Sequence, residues 1–226
     1  MDGTNTTAGI FVCGGESNIS VSNCWNSGNI GVEGVNQSNS ENSGIGQSGT
    51  ATNCFNVGTI RGGYYTAGIL GEVPQNCSIN SCYNKGNIIS TNAYTGGIAG
   101  SGTSSSINNS YNTGTITSTA NYPAGIIGRA SSATITNCYN TYTSLNLIGY
   151  NTSSSATNSY NLASNDAKTA NDLGNAYKDD TNNINNGYPI LSWQTDNDML
   201  NLINGNNSFK ADTNNINNGY PILAWQ

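Results

Sequence analysis

A four-residue phrase, Asn-Cys-aromatic-Asn, returns along this chain at a nearly fixed interval. It stands at Asn23-Cys24-Trp25-Asn26, Asn53-Cys54-Phe55-Asn56, Ser81-Cys82-Tyr83-Asn84, Asn109-Ser110-Tyr111-Asn112, Asn137-Cys138-Tyr139-Asn140 and Asn158-Ser159-Tyr160-Asn161. The second positions lie about 30, 28, 28, 28 and 21 residues apart. Self-similarity at this period marks a solenoid, in which each repeat buries its apolar strip only against its neighbours.

Two further phrases recur in fixed order around it. A small-Gly-Ile element comes first, as Ala8-Gly9-Ile10, Ser43-Gly44-Ile45, Ala67-Gly68-Ile69, Gly96-Gly97-Ile98 and Ala124-Gly125-Ile126. Val21, Ala51, Ile79, Ile107, Ile135 or Ala156 then stands three residues before each Cys or Ser. After the motif, Gly28, Gly58, Gly86 and Gly114 are each followed two residues later by Ile30, Ile60, Ile88 or Ile116. These are short β-prone pieces separated by Gly, Asn and Ser clusters. No segment carries a sustained helical period, and only the region 166–178 would suit a short helix.

The expected fold is all-β: a parallel β-helix or β-solenoid of about five to six coils of roughly 28 residues. It would occupy residues 1–165, with 166–226 as a C-terminal cap. In such a stack each short strand pairs with its copy one coil away, roughly 4.8 Å along the axis. The closing Asn column, Asn26 to Asn161, is expected at a corner, where Asn tolerates the left-handed conformation and stacked amides bond to one another. Gly28, Gly58, Gly86 and Gly114 should mark a turn that needs positive φ or close backbone approach. Whether the Cys or the aromatic column faces inward is left open by simple alternation, because one bend reverses it.

These phrases resemble the GLUG repeat of bacterial cell-surface proteins, which runs small-Gly-Ile/Leu-x-Gly and then Ile-x-Asn-Cys-Tyr-Asn-x-Gly-x-Ile. The resemblance covers roughly residues 8–161, with a truncated Gly44-Ile45-Gly46 and with Tyr142 in place of the fifth turn glycine. It implies a β-solenoid on a secreted or wall-attached bacterial protein, an adhesin-like or protease-linked stalk, with no catalytic residue in the repeat.

Composition narrows the function classes. Charged residues are 8% of the chain, against about 25% in an ordinary soluble domain. The six basic residues, Arg61, Lys85, Arg129, Lys168, Lys178 and Lys210, are scattered, and the net charge is −6. Nucleic acid is therefore not an expected partner. No apolar run approaches the roughly 20 residues that span a bilayer, so membrane insertion is not expected. The opening Met1-Asp2-Gly3-Thr4-Asn5 has no signal-peptide pattern. The composition favours a segment of a secreted protein, extracellular or on the cell surface, over a cytosolic one.

Catalytic chemistry finds little support. There is no His, so Ser-His-Asp, Cys-His and His-based zinc arrangements are unavailable. Acids stand at Asp2, Glu16, Glu33, Glu41 and Glu72 and then not until Asp166. The middle coils thus lack the clustered carboxylates that sugar cleavage needs. No catalytic residue, cofactor or metal site is assigned. Asp179-Asp180-Thr181-Asn182 and Asp196-Asn197-Asp198 are oxygen-rich but do not follow a known calcium-loop spacing. Ser110 and Ser159 replace Cys in the repeat, so that position selects a small residue and free thiols are expected there. Cys13 and Cys77 lie off the column and are the pair best placed for a disulfide.

The tail carries a second duplication. Asp180–Gln194 returns as Asp212–Gln226 with one change, Ser192 to Ala224. An array needs its open edge covered, and Tyr188-Pro189-Ile190-Leu191-Ser192-Trp193 is apolar enough to do so. The alternative use of this segment is a sugar-stacking surface with Tyr188, Trp193, Tyr220 and Trp225 as candidate ligand-contact aromatics. The sequence thus points to a non-catalytic structural or adhesive module of a bacterial surface protein. Its partner would be a surface ligand, either a glycan or a host or cell-wall protein. The alternatives are a carbohydrate-binding module and a stalk segment of a larger surface protease.

Overall fold

The computed structural model describes residues 5–12, 19–33, 39–119, 121–142, 144–162 and 173–195, and of the last segment 209–211, 213–214 and 222–225. The chain is a parallel β-solenoid. Each coil runs through up to four short strands, and each strand joins a ladder of its own copies. The first ladder holds Gly46–Ser48, Leu70–Val73, Ala99–Thr103, Ile127–Ser131 and Ile148–Thr152. The second holds Ser20–Ser22, Thr50–Thr52, Ser78–Asn80, Ser106–Asn108, Thr134–Thr136 and Ser155–Thr157. The third is the aromatic-Asn pair of every motif, Trp25–Asn26 through Tyr160–Asn161. The fourth holds Ile60–Gly62, Ile88–Ser90 and Ile116–Ser118 and is extended by a bridge from Ile30 to Ile60.

The register is the one set by the period: Ile79 pairs with Ile107, Tyr83 with Tyr111, and Ile88 with Ile116. The stack amounts to about four turns, slightly fewer than the five to six expected, because the outer coils are partial. Among the described residues the fourth ladder ends at Ile116–Ser118, and the following coil is shorter, with 21 residues from Cys138 to Ser159. A Cβ on Gly58, Gly86 or Gly114 would be driven into the carbonyl oxygen of the glycine one coil before it. Tyr142 occupies that slot in the following coil. These glycines therefore serve close approach; positive φ among the described glycines falls at Gly31, Gly49, Gly174 and Gly187.

The left-handed corner lies elsewhere than expected. It is the first residue of the motif, not the last: Asn23, Asn53, Ser81, Asn109, Asn137 and Asn158 have φ between 47° and 56°. This kink settles the orientation of the motif. It turns Cys54, Cys82 and Cys138 into the interior beside Ala51, Ile79, Ile107 and Ile135, together with Ile45, Ile69, Ile98 and Ile126. The aromatics turn the other way and form a separate cluster on the flank.

The kink also explains why Cys and Ser exchange. Cys54, Cys82 and Cys138 donate their thiol hydrogens to Thr52 O, Asn80 O and Thr136 O at 3.2–3.3 Å, and Ser110 donates to Asn108 O at 2.7 Å. The same sulfur or oxygen accepts from the amide of the preceding coil: Cys82 Sγ from Cys54 N–H at 3.4 Å, Ser110 Oγ from Cys82 N–H at 3.1 Å. The position demands a small group that both donates and accepts, which either side chain satisfies. Cys24, Cys54, Cys82 and Cys138 are free thiols; Cys77 is buried, and the suggested partner Cys13 lies outside the described residues.

The closing Asn column does bond along the axis. Asn26, Asn56, Asn84 and Asn112 each donate Nδ2 to the Oδ1 of the next, at 2.7, 2.7, 2.7 and 2.9 Å, and Asn140 donates to Asn161 at 3.1 Å. The second amide hydrogen goes to the turn carbonyl two residues on, for example Gly86 O at 2.8 Å. Asn56, Asn84, Asn112 and Asn140 are 0% exposed. Each rests against the glycine of its own small-Gly-Ile element: a Cβ on Gly68 or Gly97 would meet the Asn84 or Asn112 amide at 2.5 Å.

Two outcomes follow. Asn112→Ala leaves its buried neighbours Asn84 and Asn140 each short of a partner, at about 1–3 kcal/mol per orphaned group. It should lower the urea midpoint far more than Asn26→Ala at the partly exposed end. Second, burial pushes the Cys82 thiol up and the Cys138 thiol up to about 12. Cys82 and Cys138 of native protein should therefore alkylate slowly at neutral pH, whereas unfolded, unreduced protein should yield at least the four column thiols. Recovery of none would mean that the column is disulfide-bonded.

Candidate functional site

Two outward faces of the prism carry chemistry. The first is the flank formed by the third ladder. Trp25, Phe55, Tyr83, Tyr111 and Tyr139 stack along the axis, with centroids 4.8–6.2 Å apart and planes within 14°. Residues 173–195 are laid along this stack. Two short strands within them pair as an antiparallel hairpin, Tyr177–Lys178 with Ile190–Leu191.

The contacts cross three coils. Trp193 tilts against Tyr83 at 5.9 Å and donates Nε1–H to Ser81 O at 3.2 Å. The Tyr111 hydroxyl donates to Gln194 Oε1 at 2.9 Å, and the Tyr139 hydroxyl to Pro189 O. Asn185 Nδ2 donates to Tyr139 Oη at 2.8 Å, Lys85 Nζ to Ile184 O at 2.9 Å, and the Tyr177 hydroxyl to Asn137 O at 2.7 Å. Burial drives the Tyr139 and Tyr177 hydroxyls well above the ordinary tyrosine range, so both remain donors.

The segment expected across the end of the last coil thus lies along the side. The reason is physical: the left-handed kink turns the motif aromatics outward, and their stack is an apolar strip that needs cover. The last coil keeps an exposed edge, with Ser155, Ala156 and Thr157 open to solvent. Of the candidate ligand-contact aromatics, Trp193 and Tyr188 pack against the flank, Trp225 is 81% exposed, and Tyr220 lies outside the described residues. The oxygen-rich 179–182 stretch is committed locally: the Asp180 carboxylate accepts the amides of Ile184, Asn185 and Gly187 at 2.7–3.0 Å. The stretch 196–198 and residues 166–172 of the considered helix lie outside the described residues.

The second face went unseen in the sequence. Tyr65, Tyr94 and Tyr122 stack at 5.7 and 5.8 Å, with planes within 13°. Tyr64 tilts at one end by 53°, and Tyr150 stands edge-on at the other, 5.2 Å from Tyr122 at 64°. Together they make a band of five tyrosines, of which Tyr64, Tyr122 and Tyr150 are substantially exposed. The three stacked residues hold φ of 46°, 65° and 63°, a conformation costly for a residue with a Cβ and a bulky ring. Glycine makes room for it. A Cβ on Gly100 would meet the Tyr65 backbone at 2.5 Å, and Gly128 and Gly149 stand in the same relation to Tyr94 and Tyr122. A sequence signal was present, since each of these tyrosines stands three residues before a small-Gly-Ile glycine.

Beside the band runs a polar row in register across the first ladder: Ser48, Glu72, Ser101, Arg129 and Tyr150. The Arg129 guanidinium lies 5.7 Å from the Tyr94 ring centre. Burial raises the Glu72 carboxyl, with Arg129 pulling it partly back. Burial raises Glu41 as well, helped by repulsion from Glu72, while Gln47 donates to Glu41 Oε2 at 2.7 Å. A shallow groove of about 450 Å³ lined by Asn76, Cys77, Ser78, Ser104–Ser106, Ser132 and Thr134 lies at another corner. Among the described residues no cluster of His, Cys, Asp and Glu could hold a metal ion, and no helix is long and apolar enough to cross a membrane.

No protein-family model, curated protein or solved structure matches this chain.

The two raised carboxyls set a direction for stability against pH. Their folded forms hold the proton more tightly than the unfolded chain does. They therefore contribute stability that is present in acid and lost as pH rises through the raised folded value. The urea midpoint of Glu72→Gln should fall less between about pH 4 and pH 7 than that of the wild type, starting near the ordinary carboxylate range. An identical fall in both would show that Glu72 is not held protonated.

Proposed function

We propose that this chain is a non-catalytic structural and adhesive module of a bacterial surface protein, of the GLUG-repeat kind, working outside the cell. The observation that carries the reading is the tyrosine band on a stiff support. Backbone ladders, the amide column and the strapped flank hold the prism rigid, and the band is an exposed aromatic surface of the sort that marks interaction sites. Its strained backbone is compatible with a role in binding. Rigidity matters to adhesion because contacts already in place cost little entropy to engage.

A second reading, a carbohydrate-binding module, is favoured by Tyr64 and Tyr150. Both turn out of the stack at the two ends of the band, and a ring face so turned can receive the C–H face of a sugar. Phenol hydroxyls and the half-buried Glu72 and Arg129 supply polar contacts beside it. On either reading the face binds and releases without breaking a bond.

The test is retention on immobilised neutral polysaccharides and bacterial wall fragments, with product release followed in parallel. Tyr64→Ala/Tyr150→Ala should reduce retention at least about tenfold, the loss of roughly 1.4 kcal/mol of contact, while the urea midpoint stays near wild type. Product release that disappears in Glu72→Gln or Glu41→Gln would overturn the non-catalytic reading. Retention untouched by the tyrosine changes would remove the band from it.

A further inference from the structure

The duplicated tail poses a question of stoichiometry, independent of the function just proposed. The docked unit uses Ile184, Asn185, Pro189, Trp193 and Gln194 to grip the aromatic flank. Each recurs 32 positions later in the second copy, as Ile216, Asn217, Pro221, Trp225 and Gln226. The single difference, Ser192 against Ala224, falls on a residue that is exposed in the docked unit. Among the described residues the local pairing recurs too. Phe209–Lys210 pairs with Ile222–Leu223 in the register of Tyr177–Lys178 with Ile190–Leu191. Thr213 N donates to Ala211 O at 3.1 Å as Thr181 N does to Asp179 O at 3.0 Å. Yet Trp225 is 81% exposed, where Trp193 is packed on a ring.

This chain therefore has two units for one socket. The grip needs hydroxyls on two neighbouring rungs, Tyr111 and Tyr139, and Trp193 must reach a corner carbonyl one coil before them. The remaining rungs at the other end are Trp25 and Phe55, which have no hydroxyl to offer. A second unit has no equivalent place on its own solenoid. Nor would exchange with another intact copy gain contacts, since that copy's socket is filled.

We propose that the unit at 207–226 is a docking module for the bare aromatic flank of a second solenoid array of the Asn-Cys/Ser-Tyr-Asn kind, carried on another polypeptide. The partner is defined by chemistry: tyrosines on at least two consecutive rungs, an exposed left-handed corner carbonyl before them, and a lysine placed as Lys85 is. The tryptophan covers one ring, its N–H takes the corner carbonyl, the glutamine side chain accepts one phenol, and the asparagine amide binds the next. Solenoids would thereby be joined tail to flank.

A bare flank can be made from this chain itself. In Trp193→Ala/Trp225→Ala both units lose their anchor while the ladder is untouched. Mixed with wild type, whose Trp225 is exposed, it should give a one-to-one complex in sedimentation velocity. Mixed with Trp225→Ala, whose only intact unit is seated at home, it should give none. No complex with wild type, or an equal complex with both, would overturn the proposal. Should the double variant prove unfolded, urea midpoints decide instead. Trp225→Ala should be silent in the wild-type background and destabilising in the Trp193→Ala background, where the second unit has taken the vacated socket. The same effect of Trp225→Ala in both backgrounds would overturn it.

Discussion

The rest of the structure depends on the hydrogen-bonded asparagine column. A buried amide must satisfy two donors and an acceptor, and here each does so by bonding forward to the next coil and sideways to its own turn. That requirement fixes the coil spacing and the register at once, because a slip of one residue would leave the amides unsatisfied in a dry interior. It also dictates the glycines. The amide occupies the volume in which a side chain of the small-Gly-Ile element would stand, so that position is closed to anything larger. What looks in the sequence like a low-complexity run of Asn, Gly and Ser is therefore a set of spatially coupled choices.

A second consequence is the separation of two hydrophobic clusters. Aliphatic and cysteine side chains fill the interior, while rings fill the flank. The kink at Asn53, Ser81 and their equivalents separates them by sending the residues on either side in opposite directions. Stacked outward rings are a large apolar strip, and a solenoid that made one had to cover it. The segment 177–194 answers that need, and its hydrogen bonds with the Tyr111 and Tyr139 phenols give tyrosine a use on those two rungs that Trp25 and Phe55 could not serve.

Periodicity made much of this legible beforehand. The fold, the strand partners, the amide column and the interchange of Cys with Ser all follow from a pattern repeated six times. What escaped had local causes. Asn stands at both ends of the motif, and Ser81 replaces it at the first in one coil, so the left-handed corner was placed at the wrong end. An open edge is a generic hazard, and it points the tail to the end of the stack; the competing apolar strip exists only once the kink is known. The tyrosine band was missed because Tyr65, Tyr94 and Tyr122 sit in loops before the small-Gly-Ile element, in just three coils. Its meaning rests on a backbone conformation that tyrosine rarely adopts.

The strap along the flank changes how the rod would yield to tension. In an untethered solenoid each coil touches only its neighbours, and pulling on the ends would peel coils away one by one. Here one segment is fastened at Ser81, Tyr111 and Asn137, so the coils between them share a common load. The terminal coils can fray while the middle acts as one mechanical block, which gives way in a single step once the tryptophan and tyrosine fastenings part. A solenoid pulled from its ends gains from that arrangement a section that resists up to a threshold instead of lengthening continuously.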